Sequence, residues 1–331
     1  MTAVPALLLS EADVARCLDQ ASLIPLMRET LAAFSAGTAA QPVRTNMEIA
    51  PAGGFYGVMP AYVPGARAFG LKSVTFFPSN EGTSVPTHLA AILLHDPATG
   101  ALTGIVDGRL VTEMRTAAVS AVSVDLLARK DARRLAILGS GVQARSHLEA
   151  LVRVRRLEDV CVWSRTPARA QAFTRDAAAL VPSAIRTAAS VQAAVDGADI
   201  VVTVTSAREP ILRAAWLSPG THLCVVGSSH PRMREVDSET VVQGRVFVDS
   251  RAAAAVEAGD LLIPVAEGRW SLDRIAGELG EVAGGALGRR GADEITLFKS
   301  LGLGVEDVAS AALALERARE RGLGTPIRLQ A

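Results

Sequence analysis

The spacing of apolar and polar positions divides the chain into two regions. The first combines helix with short-period strands, and the second alternates strand and helix. Ser10 with Asp13 three residues on has the form of a capping box opening a short helix. From Ser22 to Gly37, Leu23, Ile24, Leu26, Met27, Leu31 and Phe34 recur at the helical period and stop at a glycine. Beyond Pro42 the period shortens to two. Strands are predicted over 43–50, 55–62, 68–76, 89–95 and 101–106, with Pro- and Gly-rich turns between them. Consecutive strands joined by short loops call for antiparallel pairing. A long, alanine-rich helix follows over 112–129.

From Arg134 the pattern becomes strand, helix, strand, helix. Strands are predicted at 135–138, 160–163, Ile185, 200–204, 222–226 and 246–248, with helices over 142–154 and 167–180. Such alternation implies a parallel sheet with helices on both faces. The glycines of 267–294 suggest a loop-rich connection, and an amphipathic helix over 305–321 closes the chain.

Composition narrows the class. The chain has 331 residues, 49% of them hydrophobic and 21% charged, which suits a globular protein of two domains and excludes a disordered one. Thirty-four basic side chains balance thirty-four acidic ones, so neither a nucleic acid nor a membrane surface is an expected partner. No uncharged apolar run approaches the roughly 18–20 residues of a membrane span. Cys17, Cys161 and Cys224 are odd in number and far apart, which suggests neither a disulfide framework nor a zinc site. The five histidines show no ligand spacing, so no metal is expected. The apolar start, Met1 to Leu9, lacks a basic lead-in and runs into Glu11 and Asp13. A signal peptide is not expected, and the reading is a soluble, cytoplasmic protein. Lysine is scarce: Lys72, Lys130 and Lys299 are the only three, which raises the question of what an ammonium does at each.

Two sets of residues carry chemistry. Gly139-Ser-Gly-Val-Gln-Ala144 follows a predicted strand and opens a predicted helix, the context in which such a motif binds a dinucleotide. Gly139 would permit the tight turn, Gly141 the approach of the pyrophosphate, and Ala144 close packing of helix on sheet. The next strand ends in Ser164-Arg-Thr166, where NAD sites usually carry a carboxylate for the ribose. A guanidinium between two hydroxyls suits a 2′-phosphate, so NADP(H) is preferred, with NAD(H) possible. Arg44, Lys72 and Arg115 are cations of the first region that could meet a substrate carboxylate. Arg115 would offer a bidentate fork and Lys72 a compact donor.

The segments Gln41-Pro-Val-Arg-Thr45, Gly57-Val-Met-Pro-Ala-Tyr62, Gly70-Leu-Lys-Ser-Val74, Val85-Pro-Thr-His88, Thr112-Glu-Met-Arg-Thr-Ala-Ala118, Gly139–Ala144, Ser164-Arg-Thr166, Glu209-Pro-Ile-Leu212 and Phe298-Lys-Ser-Leu-Gly302 resemble the ornithine cyclodeaminase/mu-crystallin family over nearly the whole chain. The resemblance implies an α/β fold in which a Rossmann domain, residues 119–302, is inserted in a mixed α+β substrate and dimerisation domain, residues 1–118 plus 303–331. It also implies a homodimer. Lys72 and Arg115 then fall on the substrate-carboxylate positions, as catalytic residues, and Arg44 on a further substrate-side cation. Gly139, Gly141, Val142, Gln143, Ser164, Arg165 and Thr166 fall on the cofactor site, with Thr87, His88, Thr203, Val204, Thr205 and Ser300 lining it.

One departure separates the family's activities. Ser229, in Val226-Gly-Ser-Ser-His-Pro231, stands where cyclodeaminases carry an aspartate. A serine hydroxyl is a poor base at neutral pH. Reduction of a preformed imino acid, Δ1-pyrroline-2-carboxylate or Δ1-piperideine-2-carboxylate, is therefore expected ahead of ornithine cyclodeamination. An alanine-type or other acyclic-imine dehydrogenase and a non-enzymatic NADPH-dependent binding protein are the remaining alternatives.

Overall fold

The computed structural model describes residues 5–182 and 184–328. The apolar start, Met1 to Leu9, therefore lies partly outside the described residues. In chain order the elements are β1 (Ala6–Leu9), α1 (Glu11–Cys17), α2 (Gln20–Ser35), β2 (Thr45–Ile49), β3 (Gly54–Val63), β4 (Ala68–Phe76), β5 (His88–His95), β6 (Leu102–Asp107), α3 (Gly108–Leu127), β7 (Arg134–Leu138), α4 (Val142–Val154), β8 (Asp159–Trp163), α5 (Pro167–Asp176), β9 (Ile185–Thr187), α6 (Val191–Val195), β10 (Ile200–Thr203), β11 (His222–Val225), α7 (Ser238–Gln243), β12 (Arg245–Val248), α8 (Arg251–Glu257), α9 (Gly259–Ala266), β13 (Gly277–Glu278), α10 (Leu279–Ala283), β14 (Thr296–Lys299), α11 (Gly304–Arg321) and β15 (Thr325–Ile327). They fall into two compact units. One takes in the chain up to Arg115 and again from Leu303, and the other runs from Thr116 to Gly302.

The first unit is built on a seven-stranded sheet ordered β15-β1-β6-β5-β4-β3-β2. β2 to β6 pair antiparallel, while β1 lies parallel to β6. Alternation along each strand sorts the side chains onto two faces. Met59, Ala61, Lys72, Val74, Ile92 and Leu94 are buried on one face, where α11 packs. On the other, Met47, Tyr62, Phe69 and Leu89 are exposed, and Tyr62 meets Phe69 edge-on at 6.1 Å. Arg44 lies just before β2 rather than on the strand predicted over 43–50, because pairing with β3 begins at Thr45.

The second unit is an eight-stranded, wholly parallel sheet ordered β13-β12-β14-β11-β10-β7-β8-β9. The chain starts at β7, moves outward through β8 and β9, and then returns to β10 on the other side. Strand order thus reverses between β7 and β10, the switch point at which open α/β sheets bind their ligands. β7, β10 and β11 are apolar along almost their whole length, as strands covered on both faces must be. The predicted helix over 167–180 stops at Asp176 and continues as a 3-10 turn, and the segment read as loop over 267–294 contains β13 and α10. Among the described residues, no helix is long and apolar enough to cross a membrane.

Candidate functional site

In the second unit the glycine motif sits at the switch point. Gly139 has φ 130°, a left-handed backbone open to glycine, and a Cβ there would lie 2.6 Å from the Val204 carbonyl oxygen. Its N–H donates to the Trp163 carbonyl at 2.9 Å, tying the turn to β8. Gly141 is the N-cap of α4 and provides no side-chain cap, and a Cβ there would meet nothing within 4 Å. The first turn of α4 therefore presents backbone N–H groups and the positive end of its dipole to open space. Val142 is exposed beside it, Ala144 is fully buried under it, and the Oε1 of Gln143 is buried with no hydrogen-bond partner.

At the end of β8, Ser140 Oγ donates to Ser164 Oγ at 3.0 Å, which brings the two strand ends together. Arg165 and Thr166 are exposed, and among the described residues Arg165 has no ion-pair or hydrogen-bond partner. An uncapped helix start, a glycine cradle that a Cβ would invade, an orphaned amide oxygen and an unengaged guanidinium fit a dinucleotide.

Further along the same sheet, Thr203 and Thr205, expected beside the cofactor, are engaged within the protein. Thr203 and Thr205 do not aim free hydroxyls outward. Thr203 Oγ1 donates to Glu235 at 2.7 Å, and the Thr205 hydroxyl and N–H each donate to Glu235 at 2.7 Å. The N–H of Gly227 completes the set at 2.7 Å. Glu235 is fully buried and thus clamps the loops after β10 and β11 together. Burial pushes its carboxyl upward, Asp260 nearby adds to that, and the threonine hydroxyls and Lys299 oppose it.

Lys299, at the end of β14, is also fully buried. Its Nζ lies 3.0 Å from Asp260 Oδ2 and donates to the Ser228 carbonyl. Asp260 Oδ1 in turn accepts from the N–H groups of Glu235 and Val236 at 2.7 and 3.2 Å. Ser300 is buried and joins the sheet through its backbone. Val204 is half-buried at the strand end, and Ser229 is exposed in the loop after β11.

In the first unit the structure brings Lys72 and Arg115 together, with two acids that the sequence reading did not name. Lys72 projects from β4 toward α11, and its Nζ lies 2.6 Å from Asp307 Oδ2. Thr112 Oγ1 is 3.4 Å from the same ammonium. Arg115 donates through Nε to Asp307 Oδ1 at 2.9 Å and through Nη1 to Glu306 Oε2 at 2.7 Å. Lys72 and Arg115 are 2% and 3% exposed and both acids 0%, so the cluster is desolvated.

The expected fork needs revision as well. Nε and Nη1, one nitrogen from each carboxylate-gripping edge of the guanidinium, are already engaged. Burial, with Arg115 and Arg44 adding to it, pushes Lys72 down to about 8 against the pull of Asp307. Desolvation would raise Asp307, but the two cations hold it below the usual carboxylate range. Half-buried His88, at the start of β5, is pushed down to about 4 by burial and then by Lys72 and Arg115. Thr87 is half-buried beside it in the same unit. Among the described residues, no group of three or more His, Cys, Asp or Glu is arranged to hold a metal ion.

Residues 5–322 match the model of the ornithine cyclodeaminase/mu-crystallin family. The chain belongs to that family. It is 42% identical over 319 residues to the ketimine reductase mu-crystallin of Mus musculus, covering 96% of this chain and 98% of the mouse protein. Among solved structures, the Δ1-pyrroline-2-carboxylate reductase of Thermococcus litoralis, in complex with NADH and L-proline, superposes with a TM-score of 0.94. That pair is 39% identical, over 97% of this chain and all of the other. An archaeal alanine dehydrogenase dimer with bound NAD gives 0.93 at 28% identity, over 99% of this chain and all of that one.

Within this family member, the residues that sequence reasoning passed over are Glu235, Asp260, Glu306 and Asp307. A signal existed for the last two: Gly304-Val-Glu-Asp307 places two acids in the first turn of a helix, where the dipole favours them. Nothing local marks Glu235 or Asp260, whose partners come from strand ends and loops that the sheet gathers together. Lys130, by contrast, is exposed at the end of α3 against Asp125.

Proposed function

We propose that this family member reduces the C=N bond of a small cyclic imino acid, Δ1-pyrroline-2-carboxylate or Δ1-piperideine-2-carboxylate, to proline or pipecolate. NADPH is the preferred reductant. The buried Lys72–Arg115 pair carries the reading, because Asp307 and Glu306 hold two desolvated cations side by side, with Arg44 near enough to act on Lys72, as a carboxylate-binding cluster requires. The relatives named as ketimine and pyrroline-2-carboxylate reductases support the same choice. Lys72 and Arg115 are the catalytic pair, holding the carboxylate together with Arg44, and Ser229 lines the substrate side. The Lys72 ammonium, held near a pKa of about 8, is also matched to giving a proton to the substrate nitrogen around neutral pH.

When bound, the dinucleotide supplies the hydride. Gly139, Gly141, Val142 and Gln143 hold its pyrophosphate against the start of α4, and Ser164, Arg165 and Thr166 its adenosine end. Val204, Ser300, Thr87 and His88 line the rest, while Thr203 and Thr205 contribute through their backbone, since Glu235 holds their hydroxyls. Arg165, unengaged in the protein, is the reason for preferring NADPH. Arg165→Ala raises the KM for NADPH far more than that for NADH, and an equal effect on both refutes the 2′-phosphate role.

The proposed homodimer is supported by the sheet face on which Met47, Tyr62, Phe69 and Leu89 are exposed, apolar side chains of the kind a second copy covers. A cytosolic setting suits three free, buried cysteines. The deciding assay follows NADPH oxidation with pyrroline-2-carboxylate, with piperideine-2-carboxylate, and with pyruvate or oxaloacetate plus ammonia. Ammonia release from ornithine is measured alongside. Turnover confined to the cyclic imines is expected; ammonia from ornithine without net NADPH oxidation overturns the proposal.

A further inference from the structure

We propose that Asp307 is the positioning residue of the anion site, one carboxylate that sets a single oxygen on each of the two cations and thereby fixes Lys72 and Arg115 relative to one another. The distances are 2.6 Å from Oδ2 to Lys72 Nζ and 2.9 Å from Oδ1 to Arg115 Nε. Glu306 braces the far side of the same guanidinium at 2.7 Å, and its Oε2 also accepts the N–H of Leu303 at 3.2 Å. Both acids lie in the first turn of α11, where the unpaired N–H groups of the helix start stabilise negative charge.

That turn can come so close to the sheet because residue 304 is glycine. A Cβ there would stand 3.0 Å from the Met59 carbonyl oxygen, and Met59 is the cross-strand partner of Lys72. The inference deepens the imino-acid reading, since the site concerned is the one that would take the substrate carboxylate.

The arrangement has a consequence for charge. Lys72 is faced by Thr112 and Arg115 from α3, by Glu306 and Asp307 from α11, by Arg44 from the segment before β2, and by His88 from β5. Its strand neighbours Met59 and Ile92 are apolar. His88 is held neutral. Of the groups around Lys72, desolvation and the two arginines favour losing its proton, and Asp307 is the charge that opposes them. Without Asp307, Lys72 would be neutral at the pH where an anion has to be held. With it, the ammonium stays charged and one further carboxylate can join the cluster.

Three lysines make the test direct. Protein grown on ε-13C-lysine has three Cε signals; Lys130→Arg assigns one of them and Lys72→Arg a second. The Lys72 signal is followed with pH in the wild type, in Asp307→Asn and in Asp307→Glu, with circular dichroism reporting the fold. The expected result is a wild-type midpoint near 8, a fall of at least one pH unit in Asp307→Asn, and return toward the wild-type value in Asp307→Glu. A Lys72 midpoint unchanged in folded Asp307→Asn overturns the proposal.

If that variant does not fold, carboxyl-13C-aspartate in the wild type decides. The Asp307 Cγ signal shows an inflection at the Lys72 midpoint if the two are coupled, and a signal that passes through that midpoint unmoved overturns it. In turnover, the alkaline limb of kcat/KM moves acidward in Asp307→Asn by the same interval and returns in Asp307→Glu. A wild type inert toward every imino acid would sink the substrate reading, while the lysine titration would still judge Asp307.

Discussion

Replacing Lys299 by methionine tests the account of the second unit most sharply. Methionine keeps most of the volume of the lysine stem, so the cavity contribution is small and the loss is electrostatic. What disappears is the 3.0 Å ion pair to Asp260 and the donor to the Ser228 carbonyl, both in surroundings with no exposure at Lys299 or Asp260. Removing one member of a buried pair leaves a charge with no compensation and costs about 3–5 kcal/mol. For a unit of this size that is a fall in Tm on the order of ten degrees. Denaturant and thermal unfolding, followed by circular dichroism, would be measured for wild type, Lys299→Met, Asp260→Asn and the double variant.

Asparagine keeps the Oδ1 that accepts from Glu235 and Val236, so Asp260→Asn removes the charge and spares those bonds. The double variant should be more stable than the sum of the single losses by roughly 2 kcal/mol, since neither charge is then left alone. Lys299→Met within about 1 kcal/mol of wild type, or strict additivity in the cycle, would refute the reasoning. In that event the buried lysine would have to act on the dinucleotide or substrate rather than on stability.

Four further outcomes are expected. Gly141→Ala should unfold like wild type yet lose dinucleotide affinity in calorimetry, because its methyl meets no protein atom within 4 Å and enters the space proposed for phosphate. Gly139→Ala should lose about 1–3 kcal/mol of stability as well, from a Cβ against the Val204 carbonyl at φ 130°. His147 and His222 are fully buried and held neutral, pushed down by burial to about 4 and about 3, and His88 to about 4. The unfolded chain therefore binds more protons below its ordinary histidine pKa of about 6.5, so stability is full above that pH and falls as pH drops toward 4. Urea midpoints measured across that window should decline, and His147→Asn should flatten the slope. Finally, Phe69→Glu places a charge on the open sheet face beside Tyr62 and should convert the proposed dimer to monomer in sedimentation; an unchanged dimer mass would move the interface elsewhere.

What could be read from the chain alone follows the range of the interaction that makes each feature. The helix over 142–154 was predicted to its observed ends and the preceding strand to within a residue, because an apolar run, a glycine turn and a helical period are all local. The same holds for the capping box of Ser10 and Asp13, which the structure forms with both of its reciprocal bonds. β14 escaped notice although it lies inside the parallel sheet. Four residues with a threonine at one end and a lysine at the other carry no periodic signature, and only neighbours on both sides make them a strand.

The candidate site divides along the same line. Lys72 and Arg115 are singled out by the family resemblance of the segments that carry them, since spacing alone does not show that two cations converge. Their partner is not, since the bond from Arg115 to Asp307 closes a loop of 192 residues. An unpaired cation and a paired one look alike in sequence, yet they differ in what they can bind. Had Arg115 kept both edges open, a substrate carboxylate could have been held on arginine alone, and Lys72 would have been dispensable. With Nε and Nη1 engaged, the anion needs Lys72 as well. In the proposed site, the ammonium already singled out from the sequence is therefore the second anchor that the engaged guanidinium calls for.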